Sequence, residues 1–169
     1  MIAAAIFVIF PLCLALAALT DLFTMMIPNR VPAILMASFL LVAPLAGMSV
    51  ADIGMHLVAG GAVFAVCFTF FAMNVMGGGD AKLLTAAAVW FGFNPSLMEF
   101  MVYVAYVGGI VTLAIMLMRA QSDWILAMGL SLPHSLMEAK KIPYGIAIGI
   151  GGFLAYPASP LVALALGRL

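Results

Sequence analysis

Residues 2–21 read IAAAIFVIFPLCLALAALTD, an apolar run without a charge that closes on a single aspartate. A helix needs about 20 apolar residues to cross the hydrocarbon core of a bilayer, and this run supplies them. It has no basic n-region and is longer than a usual signal-peptide h-region, so it reads as a retained first span. Further apolar stretches follow at 31–50, 55–76, 81–93, 98–118 and 143–166. All but the fourth are long enough to cross. The fourth, at 81–93, is short and is expected to be enclosed by the others. Backbone groups in lipid must bond internally, and no alternating pattern suggests a barrel. The expected fold is all-α: a polytopic membrane protein of about six transmembrane helices, forming one domain over 1–169. No soluble domain is expected before the first span or after the last.

Composition leads the same way. The 169 residues are 67% hydrophobic and 7% charged, with six bases against six acids. A soluble domain carries about 25% charged residues. This chain cannot cover a water-facing surface, and it lacks the basic face of a nucleic-acid binder. Its first partner is the lipid bilayer. Cys13 and Cys67 lie far apart in apolar runs and read as small buried side chains. His56 and His134 read as polar residues at span or loop edges without a companion. Pro11 should kink the first span. Gly108-Gly109 and the Gly145-xxx-Gly149 pair read as small-residue packing faces. The stretch 119–142 reads as an interfacial helix anchored by Trp124, with a flap contacting substrate as the alternative.

In a six-span arrangement Arg30, Lys82, Arg119, Lys140 and Lys141 fall on one side and Arg168 on the other. The positive-inside tendency then places 21–30, 77–82 and 119–142 in the cytoplasm and both termini outside. Asp52 and Glu99 fall outside.

Familiar catalytic patterns such as HExxH and GxSxG are absent. What remains is acid. Asp21 closes the first span, and Asp80 follows Gly77-Gly78-Gly79 at the start of the fourth. The deduced topology puts both at one membrane face. Two nearby carboxylates do not both ionise cheaply, so one keeps its proton. The ionised one can take a proton from water while the protonated one polarises a peptide carbonyl and assists the leaving amine. That chemistry needs no metal, no cofactor and no covalent intermediate. The glycines would let an extended substrate backbone approach Asp80. Helix polarity favours charge at Asp80, on a helix N-terminus, over Asp21, near a C-terminus.

Gly77-Gly78-Gly79-Asp80-Ala81-Lys82-Leu83, Asp21 ahead of Ile27-Pro28-Asn29, and Lys141-Ile142-Pro143-Tyr144-Gly145 together resemble the type IV prepilin peptidases, which are GxGD membrane aspartic peptidases. The resemblance implies removal of a basic leader from prepilin-like proteins at the cytoplasmic face of the bacterial inner membrane, commonly after a glycine. It maps the catalytic aspartates onto Asp21 and Asp80, and the motif's glycines onto Gly77 and Gly79. Gly78, Lys82, Ile27, Pro28 and Asn29 are candidates for substrate contact or for shaping the site. The cysteine-rich insertion of full-size members is lacking. The chain therefore looks like the short, peptidase-only branch of tight-adherence (Flp) pilus systems, with neither N-methylation nor zinc. Met25-Met26 stand where relatives often carry basic residues. Three other readings are weighed: a presenilin-like or preflagellin GxGD protease, a small transporter using the aspartates as cation or proton sites, and an assembly scaffold. The first class pairs GxGD with Tyr-Asp and Pro-Ala-Leu, whereas here Thr20 precedes Asp21. The second would show repeat-related halves.

Overall fold

The computed structural model describes residues 2–121 and 142–167. Over these residues the chain is helical: α1 (Ile2–Thr24), α2 (Arg30–Leu45), α3 (Val50–Ala72), α4 (Gly78–Phe91), α5 (Pro95–Ala120), α6 (Gly145–Ala155), a 3-10 turn at Tyr156–Ala158 and a short α7 (Pro160–Ala165). Each expected apolar stretch contains a helix. Three of them, α1, α3 and α5, are long and apolar enough to cross a membrane, and they make the chain a membrane protein. Two of the others, α2 and α6, are shorter than the apolar stretches suggest. α2 stops at Leu45 because the chain turns through Gly47 at φ +89°, with Met48 N–H donating to Ala43 O in a Schellman closure. The stretch 143–166 is interrupted at Pro157 and restarts behind Ser159, whose hydroxyl accepts from Val162 N–H at 3.4 Å. Residues 122–141, with Trp124, His134, Lys140 and Lys141, lie outside the described residues, as does Arg168.

The long helices surround the short ones. α4 is buried at Ala81, Leu83, Leu84 and throughout Ala86–Phe91, as expected of a short helix enclosed by its neighbours. It packs against α3 and α2. Gly60 of α3 is what permits this, since a Cβ there would run into Val89. α6 lies between α1 and α5, and its glycines face both: Gly149 against Ala18 and Leu14, Gly151 against Val104. Without a hydrophobic force between helices in lipid, such close approach is a main source of attraction. Gly108 belongs to the same pattern, because Tyr144 occupies the space its side chain would fill. Gly109 has open space beside it among the described residues. α1 continues as one helix through Pro11.

An aromatic cluster holds the centre. Phe10 stacks on Tyr156 at 4.3 Å and meets Trp90 at 5.3 Å, while Phe91 stacks on Phe100 at 4.6 Å. The polar ends of this cluster are satisfied: Trp90 Nε1–H donates to Leu35 O at 3.0 Å and the Tyr156 hydroxyl to Ile6 O at 2.6 Å. Cys13 and Cys67 are buried, as read. His56 is not the edge residue that the sequence suggests. It is 4% exposed, stacks on Phe39, and its Nδ1 lies 2.7 Å from Val89 O. The room comes from Gly92, whose φ of +69° and missing side chain leave space for the imidazole.

Candidate functional site

α1 ends, α2 begins, α3 ends and α4 begins around one end of the bundle, and α6 starts there too. Asp21 sits in the last turn of α1, where Met25 N–H donates to its carbonyl at 2.9 Å and Met25 turns the chain at φ 54°. This is an αL closure, occupied by a methionine where glycine is usual. Asp80 sits in the first turn of α4, after the cap Gly77. Asp21 and Asp80 line one cavity of about 300 Å³. Met25, Met26, Ile27 and Asn29 wall it on the α1–α2 side, the three glycines on the α4 side, and Ile142 across from them. The expected residues Asp21, Asp80, Ile27, Asn29, Gly77, Gly78 and Gly79 are thus brought together.

The glycines have separate reasons. None of the three has positive φ, so their need is steric. A Cβ on Gly77 would stand 2.7 Å from Asp80 Oδ2, one on Gly79 3.2 Å from Ile27 Cβ, and one on Gly78 3.2 Å from the Phe71 ring. Gly77 therefore makes room for the Asp80 carboxylate, and Gly79 lets the Ile27 loop close on α4. Gly78 meets only the edge of a half-exposed ring. Two outcomes follow for any reaction that depends on Asp80. Gly77→Ala should lower turnover by about 100-fold through displacement of the carboxylate, with a stability loss of at most about 1 kcal/mol. Gly78→Ala should stay within about threefold of the parent. Rates and melting curves on the two purified variants check this.

Lys82 takes a different position. Two residues past Asp80, it lies on another face of α4, outside the aspartate cavity, and its Nζ donates to Asn29 Oδ1 at 2.9 Å. Its partner is the Ile27-Pro28-Asn29 turn, in which Pro28 O accepts from Val31 N–H at 3.0 Å. Pro28 shapes the start of α2 and does not line the aspartate cavity. A double-mutant cycle with Lys82→Met and Asn29→Ala is expected to give a coupling of about 0.5–1 kcal/mol, and independent effects would show that the contact carries nothing.

Sequence reasoning left one residue out. Gly145 N–H donates to Asp21 Oδ2 at 2.7 Å, and a Cβ there would stand 2.8 Å from the same oxygen. The glycine read as a packing face is a contact of the acid. Its signal was the Pro143-Tyr144-Gly145 sequence, since a helix start has N–H groups with no partner in the helix. This contact also changes the helix-end reading. Asp80 has the N-terminus of its own helix and Asp21 has that of α6, so helix polarity does not separate the two acids. Asp21 is 5% exposed, and its carboxylate is held by the Gly145 N–H.

Two carboxylates at one cleft of a helical membrane protein define an acid pair suited to general acid–base work. Residues 8–117 match the model of the type IV leader peptidase family, and the chain belongs to that family. Membership implies a peptidase acting on prepilin-like substrates. The matched residues contain both aspartates and all three glycines. No curated protein and no solved structure matches the chain.

Proposed function

We propose that this protein is an aspartic endopeptidase that removes the basic leader from type IV prepilin-like proteins of the Flp type, without N-methylation. Asp21 and Asp80 are its catalytic pair. The observation that carries the reading is the shared cavity of the two carboxylates, in a chain of the leader peptidase family. One carboxylate is ionised and takes a proton from the attacking water. The other is protonated, hydrogen-bonds the scissile carbonyl as it becomes tetrahedral, and then protonates the leaving amine. Gly145 N–H fixes the Asp21 carboxylate, and the space over Gly77 receives that of Asp80. We place the site at the cytoplasmic face of the bacterial inner membrane, with six crossings, one domain over 1–169 and both termini outside. Arg30, Lys82 and Arg119 at the site end support that orientation.

The test is cleavage in liposomes of a membrane-anchored substrate that carries a basic leader. A single cut where the leader meets the apolar helix, unaffected by chelators, is the expected result. No cut in any leader-bearing substrate would sink the reading.

A further inference from the structure

α2 and α3 both pack on α4 but scarcely on each other, so a strip of α4 lies open between them. The strip is a groove of about 320 Å³ that shares only Asn29 with the aspartate cavity. Lys82 and Ala86 form its floor, Asn29, Ala33 and Met36 its α2 wall, and Phe64 its α3 wall.

Polarity is graded along this groove. Lys82 and Asn29 stand at the end of the bundle where α2 and α4 begin, and Lys82 Nζ donates to Asn29 Oδ1 at 2.9 Å. Met36 lies seven residues further along α2, about 10 Å deeper. Phe64 lies eight residues before the end of α3, about 12 Å along that helix. Between these levels the surface is apolar, because the Thr85 hydroxyl donates back to Ala81 O at 2.8 Å. The amide is a neutral partner for the lysine. It takes one of the three N–H groups of the ammonium and none of its charge, and its own NH₂ group is left to donate. A cation and an amide donor thus stand at the mouth of an apolar trough.

The width of the trough decides what fits. About 320 Å³ over a length of about 10 Å leaves a cross-section of about 30 Å². An α-helix with its side chains is about 10 Å across and needs roughly 80 Å². A single hydrocarbon chain fits, and a helix does not. We propose that the groove binds an anionic glycerophospholipid, its phosphate on Lys82 Nζ and the Asn29 amide and one acyl chain along Ala86 between Met36 and Phe64. A zwitterionic lipid carries its own cation beside the phosphate and gains less from the lysine. Because Asn29 also walls the aspartate cavity, the bound phosphate ties the loop 25–29 to α4.

The test is photolabelling in liposomes with phosphatidylglycerol that carries a diazirine in one acyl chain, followed by peptide mapping. Phosphatidylcholine with the same chain is compared at equal mole fraction. Phosphatidylglycerol is expected to label Met36, Phe64 and their neighbours at least fivefold more than phosphatidylcholine. Lys82→Gln should bring it down to the phosphatidylcholine level, and Lys82→Arg should retain it. Ala33→Phe fills the trough from an exposed position and should remove labelling by both lipids. Equal labelling of the parent by the two lipids overturns the proposal. So does a preference that survives Lys82→Gln, or labelling that Ala33→Phe leaves intact. Displacement of the label by inorganic phosphate would reduce the groove to an ion site, and displacement by a leader-bearing helix would assign it to substrate; either overturns the lipid. None of these readouts depends on cleavage, so each outcome leaves the peptidase reading to its own test.

Discussion

Asp80→Asn and Asp21→Asn are each expected to lower leader removal by about 10³-fold or more, and the double variant is expected to be no slower than either single one. The reason, in the proposed mechanism, is that the two groups share one task. Asparagine can neither accept the proton of the attacking water nor give one to the amine, and with either partner gone the remaining acid has no complement. The fold should survive both changes. Asn at position 21 retains an oxygen to accept Gly145 N–H, and Asn at position 80 fits the space over Gly77. Single-turnover cleavage with melting curves on the same samples separates the two effects. Rates that fall in proportion to the folded fraction, or that multiply in the double variant, would contradict a shared role.

Trp90→Ala is expected to cost about 3 kcal/mol of stability, the lower end of the range for removing a large aromatic from a core. In a soluble protein the lost transfer from water adds to the cavity. In a bilayer the unfolded helices are already in hydrocarbon, so most of the transfer part is gone and the packing part remains. That part is large here, because Trp90 is fully buried, touches Phe10 and Tyr156, and ties α4 to α2 through Leu35 O. Leu113→Ala, on the lipid-facing side of α5, should cost under about 1 kcal/mol. Unfolding in mixed micelles measures both, and similar losses at the two positions would refute the distinction.

What could be read from the sequence and what could not divides along physical lines. Asp21 and Asp80 stood out because charge is scarce and costly in such a chain, so each acid asks for an explanation. Their meeting in one cavity follows from the alternation of apolar stretches, which brings the end of α1 and the start of α4 to the same side. The helix lengths were less legible. Apolarity measures what lipid tolerates, whereas the ends of α2 and α6 are set by Gly47, Pro157 and Ser159. Gly145 was hidden because its contribution is a backbone N–H, which every residue but proline has. His56 was hidden for a similar reason: its partners are the Val89 carbonyl and the empty side of Gly92, thirty-odd residues away. The three glycines were noticed, but their separate duties toward Asp80, Ile27 and Phe71 depend on distances that no pattern of letters contains.

The donor to Asp21 comes from a residue 124 positions further along the chain. This separation sets an order in time. Synthesis runs from the N-terminus, so both acids reach the membrane well before α6 does. Until then Asp21 lacks its N–H partner, and the cavity it shares with Asp80 lacks the wall supplied by Ile142. On the proposed reading the site stays incomplete until this late helix packs between α1 and α5.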